Sequence, residues 1–212
     1  MTDDIGHLVH APAIVPVVTF DDAAGAPALA TALVAGGITS IEVTLRTVAG
    51  LDAIAALRDR TDIVVGAGTV RSADDVHAAV AAGARFVVCP GLADEIVSAA
   101  ADLAVPVLPG IATGSELLEA WSLGLHHVKL FPAETLGGLD AVRALAAPFP
   151  EMSFMPSGGV SARNAREYLS HPAVFAISGS WMVPSDAMRA RDWALVEQLS
   201  RKAVQQVATD EQ

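Results

Sequence analysis

The chain has 212 residues, 52% hydrophobic but only 5% aromatic, with 17% charged and a formal net charge of −11. So much apolar surface excludes a disordered chain, and the acidic balance excludes a nucleic-acid or anionic-membrane surface, since both need basic patches. Of 13 basic residues only two, Lys129 and Lys202, are lysines. The one cysteine, Cys89, can form neither an internal disulfide nor a Cys-based metal site, so a reducing cytoplasm is the expected compartment. The N-terminus carries early acids and no basic run ahead of an apolar core, so it does not read as a signal peptide. Residues 23–41 hold no charge, but Ala, Gly, Pro27 and Thr31 make them too weakly hydrophobic to span a membrane.

Eight short apolar or β-branched runs follow one another. They begin near Ala13, Thr39, Asp62, Arg85, Pro106, His127, Ser153 and Phe175. Their spacing of about 20–27 residues is the length of one strand, one helix and two short loops. Between them, Ser72–Asp75 and Thr113–Glu116 read as capping-box helix starts. Gly37, Gly83 and Gly124 each stand just past an Ala/Leu-rich helix, where a C-cap belongs. A final helix is expected over about 186–206, followed by a short frayed tail. Eight alternating units across about 13–184 predict a single-domain α/β fold, a (β/α)8 TIM barrel. The alternative is an open doubly wound sheet, which is disfavoured because no Gly-rich dinucleotide fingerprint follows the first strand.

Alternation along barrel strands places polar residues where a core should be. In the second strand Ile41, Val43 and Leu45 form the apolar face, so Glu42, Thr44 and Arg46 point inward. In the sixth, Val128 and Leu130 face the helices, and His127, Lys129 and Phe131 face the interior. One reading is an internal salt-bridge cluster. The other is an active site, because these charges gather towards the C-terminal strand ends where barrel sites form. An Arg-rich chain has Arg available for a structural cation, whereas lysine suits an amine that must lose a proton and attack a carbonyl.

Later strand ends supply anion-binding chemistry. Pro156-Ser-Gly-Gly-Val160 and Ser178-Gly-Ser-Trp181 follow the seventh and eighth strands, the usual position of a barrel phosphate cradle. Gly66-Ala-Gly-Thr-Val70 offers further amides and the Thr69 hydroxyl, while Cys89-Pro-Gly91 reads as a rigid wall rather than a nucleophile. The six histidines show no ligand-spaced set with carboxylates, so a metal-dependent reaction is disfavoured.

From about Ile14 to Pro184 the chain resembles the 2-keto-3-deoxy-6-phosphogluconate (KDPG) and 4-hydroxy-2-oxoglutarate aldolases, the class I pyruvate aldolases. The resemblance is carried by Glu42-Val-Thr-Leu-Arg-Thr47, Gly66-Ala-Gly-Thr-Val70, Pro90-Gly91, Pro109-Gly-Ile111, Lys129-Leu-Phe-Pro-Ala-Glu134, Gly158-Gly159 and Gly179-Ser-Trp181. It implies that Lys129 is the Schiff-base lysine and that Glu42 is the general acid/base. It implies that Arg46 and Thr69 grip the pyruvate carboxylate, with Pro90 and Phe131 lining the same pocket. Gly158, Gly159 and Ser180 would bind the phosphate, and Ser157 would contact the substrate's middle hydroxyls. The family usually has Thr where Ser157 stands, which bears on stereochemical preference; Cys89 stands where Ser is common. No cofactor beyond the lysine–pyruvate imine, a phosphorylated 2-keto acid substrate and a homotrimer are also implied. Alternatives are a pyruvate aldolase for the phosphogalactonate epimer or an unphosphorylated keto acid, a sugar-phosphate isomerase or epimerase, and a non-catalytic phosphate-binding barrel.

Overall fold

A computed structural model describes residues 5–9 and 12–208, so the expected frayed tail lies outside the described residues from 209 onward. The predicted apolar runs form parallel strands: β1 (Ile14–Val18), β2 (Ser40–Thr44), β3 (Val64–Gly68) and β4 (Phe86–Val88). The fifth run is split into β5 (Val107–Leu108) and β6 (Gly110–Ile111) by Pro109, which has no N–H to give to a ladder. Then come β7 (His127–Leu130), β8 (Ser153–Pro156) and β9 (Ile177–Gly179).

The hydrogen-bonded orders are β5-β4-β3-β2-β1-β9 and β6-β7-β8. Since β5 and β6 are consecutive, and a parallel bridge from Ser157 to Ser178 ties β8 to β9, the two arcs complete an eight-membered ring. This is the (β/α)8 barrel, with α1 (Ile5–Leu8) at its N-terminal end and the other helices outside it: α2 (Ala26–Ala35), α3 (Ala49–Ala56), α4 (Ala73–Ala82), α5 (Asp94–Asp102), α6 (Gly114–Ser122), α7 (Leu139–Ala146) and α8 (Ala165–Leu169). Helices α9 (Ser185–Ala190) and α10 (Trp193–Val207) follow β9. They replace the single helix expected over 186–206. Arg191 takes the left-handed conformation at φ 53° and ends α9, and Asp192 restarts the chain by accepting from the Leu195 amide.

Local signals behave as their chemistry requires. Thr113 and Glu116 form a complete capping box on α6. Ser72 caps α4 by accepting from the Asp75 amide, but the shorter Asp75 side chain accepts from Arg71 rather than closing the box on Ser72. Among the described residues no helix is long and apolar enough to cross a membrane.

Strand alternation divides the apolar residues into two bodies. Ile41, Val43, Val65 and Val87 point outward and pack with Leu33 and Ile54 between barrel and helices. Val15, Phe86, Leu108 and Met155 point inward, and with Ile5 of α1 and Val9 they fill the lower half of the barrel. The α1 segment thus plugs the N-terminal end: a Cβ on Gly6 would lie 3.1 Å from Nε2 of His127, the first residue of β7. The upper half of the interior is left to Glu42, Thr44 and Lys129.

Candidate active site

Strands β2 and β7 stand opposite one another, four positions apart in either direction around the ring. Inward side chains from the two therefore meet across the lumen. Lys129 Nζ lies 3.7 Å from Glu42 Oε1, with the two side chains only 7% and 1% exposed. That distance brings the charges together without a short hydrogen bond. Among the described residues, nothing hydrogen-bonds the other carboxylate oxygen, Oε2, although it is buried. Burying two ions costs several kcal/mol each and is offset only by close, fully hydrogen-bonded geometry. The pair lacks that geometry, which weighs against a purely structural salt bridge. It is suited instead to a nucleophile and a proton carrier that meet a third group between them.

Room for the carboxylate comes from β3. A Cβ on Gly68 would fall 2.1 Å from Glu42 Oε1, and one on Gly66 would fall 2.2 Å from the Phe86 ring one layer below. These glycines were expected to offer amides. Their packing consequence is different: by lacking side chains they admit Phe86 to the lower layer and Glu42 to the upper. Thr44 is fully buried and its hydroxyl lies 2.8 Å from that of Thr19, fixing the wall beside Glu42.

Lys129 Nζ stands 5.1 Å from the centre of the Phe131 ring, within cation–π range. Cys89 at the end of β4 is buried and free, and burial pushes its thiol up to about 12. The Lys129 charge pulls that value down and the Glu42 charge pushes it up, so the thiol lies within electrostatic reach of the pair while remaining protonated.

Arg46 departs from its expected place. Strand β2 ends at Thr44, so the inward alternation does not reach Arg46, which is exposed in the following turn. It still arrives at the mouth: its Nε donates to Thr69 Oγ1 at 3.2 Å, and Thr69 presents that hydroxyl from a left-handed backbone at φ 60°. Pro90 is exposed beyond the end of β4.

A cavity of about 890 Å³ opens at the C-terminal strand ends, and its walls include Arg46, Phe131, Ser157, Gly158, Gly159 and Ser180. Lys129, Glu42, Thr69 and Pro90 are not among those walls; the first two lie buried below the mouth. Gly158 and Gly159 have φ of 88° and 86°, a pair of consecutive left-handed residues that only glycine adopts readily. The Ser157 hydroxyl reaches that of Ser178 at 3.5 Å. Arg191 joins the rim through an ion pair with Asp22 at 2.7 Å, a contact 169 residues apart that no local pattern announced.

A barrel that sets a buried amine against a buried carboxylate at the C-terminal strand ends has the architecture of a class I, imine-forming lyase. The family described as KDPG and KHG aldolase matches residues 5–199. The 2-dehydro-3-deoxy-phosphogluconate aldolase of Pseudomonas aeruginosa is 45% identical over 208 residues, covering 98% of this chain and 94% of that protein. The KDPG aldolase of Legionella pneumophila, solved with pyruvate captured as a covalent carbinolamine, superposes with a TM-score of 0.90 at 39% identity, covering 93% of this chain and 97% of the other. The Zymomonas mobilis ZM4 enzyme, solved with 3-phosphoglycerate, also gives 0.90, at 37% identity and 96% coverage of both chains. The chain belongs to the KDPG and KHG aldolase family, and it is a lyase of the Schiff-base class.

Proposed function

We propose that the chain cleaves KDPG to pyruvate and glyceraldehyde 3-phosphate, with Lys129 as nucleophile and Glu42 as proton carrier. The observation that carries this reading is the 3.7 Å approach of Lys129 Nζ to Glu42 Oε1 inside the barrel. The free amine of Lys129 attacks the C2 ketone to give a carbinolamine. Loss of water makes an iminium, an electron sink one bond from C3. Glu42 takes the C4 hydroxyl proton as the C3–C4 bond breaks. The bonding pair flows to the iminium nitrogen, releasing the aldehyde and leaving an enamine. Protonation of the enamine at C3 and hydrolysis free pyruvate and regenerate the amine. These steps call on no external cofactor.

In this reading Arg46 and Thr69 hold the pyruvate carboxylate, with Phe131 and Pro90 beside it. Gly158, Gly159 and Ser180 receive the phosphate, and Ser157 faces the hydroxyls between the two ends. A net charge of −11 gives no general attraction for such a substrate, so binding rests on these local donors. Because the matching family covers both activities, cleavage of 4-hydroxy-2-oxoglutarate to pyruvate and glyoxylate is the second proposed reaction. The proposed assembly is a cytoplasmic homotrimer. Leu118 and Trp121, exposed one turn apart on α6, offer an apolar surface for it, and the single free cysteine suits a reducing compartment.

The test is steady-state cleavage of both substrates by the wild-type chain and by Lys129→Arg. The wild type is expected to favour the phosphorylated substrate in kcat/KM, and Lys129→Arg is expected to be inactive because a guanidinium stays protonated. Full activity in that variant would remove Lys129 from the reaction.

A further inference from the structure

The proposed phosphate cradle poses a mechanical problem. Gly158 and Gly159 are consecutive glycines, the residue type with the widest backbone freedom, yet a site built from their amides must be held in one shape before the ligand arrives. The required rigidity has to come from neighbouring elements. Two backbone bonds supply part of it: the Ala133 amide donates to the Ser157 carbonyl at 2.8 Å and the Glu134 amide to the Gly158 carbonyl at 3.1 Å.

The Glu134 side chain supplies more. A Cβ on Gly159 would fall 2.4 Å from Glu134 Cγ and 2.5 Å from its Cβ, so the aliphatic stem lies directly across Gly159. The stem is pinned at its far end. The hydroxyl of Tyr168, a residue 1% exposed on α8, donates to Glu134 Oε1 at 2.5 Å. From the other side, Asn164 Nδ2, at the start of the same helix, donates to the Gly159 carbonyl at 3.3 Å. Glu134 also closes the run that begins with Lys129, five residues earlier along the chain.

We propose that Glu134, anchored by Tyr168, is a positioning residue that holds the Gly158–Gly159 turn in its phosphate-binding shape and so sets the preference for phosphorylated substrates. The inference rests on the reading of Gly158, Gly159 and Ser180 as the phosphate end. Glu134 acts through the turn and has no part in the chemistry at Lys129.

The test compares Glu134→Ala, Glu134→Gln and Tyr168→Phe on KDPG and on unphosphorylated 4-hydroxy-2-oxoglutarate. Glu134→Ala removes both stem and acceptor, and it should raise KM for KDPG by at least about fivefold, as misplacement of binding groups does. It should leave kcat/KM for the unphosphorylated substrate within about twofold. Tyr168→Phe keeps the buried ring and should move the KDPG KM in the same direction. Glu134→Gln retains the stem and a carbonyl acceptor for the tyrosine, so it should behave like the wild type. Glu134→Ala and Tyr168→Phe variants that keep the wild-type preference would overturn the proposal, and so would equal losses on both substrates. A wild type with no preference would instead overturn the phosphate-end reading beneath it.

Discussion

Gly68→Ala is the smallest change that reaches the centre of the site without altering any ionisable group. The added methyl would lie 2.1 Å from Glu42 Oε1 and 2.5 Å from Glu42 Cγ, where ordinary contact begins beyond 3 Å. The backbone has no way to yield cheaply, since β3 is paired on both sides to β2 and β4. The carboxylate must therefore retreat by about 1 Å or more, a displacement comparable to those that cost about 100-fold in rate when they misplace reacting groups. Overpacking of this kind adds about 1–3 kcal/mol of destabilisation. Gly66→Ala is the matched control: it collides with the Phe86 ring at 2.2 Å, in the apolar layer below, and perturbs packing to a similar extent. Pyruvate release followed by a coupled dehydrogenase gives kcat, and urea melts give stability. Both variants should lose stability, but the loss in kcat should be at least about tenfold larger for Gly68→Ala. Equal kcat in the two variants would refute the claim that the position of Glu42 limits the reaction.

Three other outcomes follow from the same geometry. Arg46→Ala should raise KM by roughly 10–100-fold, the value of a charged hydrogen bond of about 1.5–3 kcal/mol, while leaving the melting temperature nearly unchanged because the side chain is exposed. Glu116 accepts from the Ala112 and Thr113 amides, and those bonds hold its carboxyl below the ordinary carboxylate range. A depressed folded-state value contributes stability above the unfolded-state value and loses it as pH falls through the folded one. Glu116→Ala should therefore cost about 1 kcal/mol in neutral-pH melts, with the gap to wild type closing in acid below about pH 4. Cys89, buried with its thiol pushed up to about 12, should resist a thiol reagent at pH 8 in the folded protein and react once per chain in denaturant. Rapid labelling of the folded protein would contradict that burial.

The period of two along β2 was legible as sequence: Ile41 and Val43 face the helices, and Glu42 and Thr44 face the lumen. Extended one pair of residues too far, the same rule put Arg46 inside, because alternation carries no mark of where a strand ends. The break at Arg191 had a readable signal in Asp192, the N-cap residue immediately after it, whereas the apolar spacing of 186–206 continued across. Gly66 and Gly68 were visible as glycines, but the reason for them was not. Their missing side chains are explained by Phe86 and Glu42, which come from neighbouring strands. The Lys129–Glu42 approach was legible only once the sequence was laid on a ring, since the two are opposite in the barrel and remote in the chain. The lower plug by Ile5 and Val9 had no local signal, because a short apolar pair near a terminus looks the same whether or not a barrel lies above it.

The central claim is that Lys129 forms an imine with a 2-keto acid. Incubation of the wild-type chain with pyruvate and borohydride, followed by peptide mass mapping, addresses it most directly. Reduction should leave one covalent adduct per chain on the peptide containing Lys129, with none on Lys202 and none at all in Lys129→Arg. An unmodified Lys129 after reduction, in protein that still cleaves KDPG, would contradict the account.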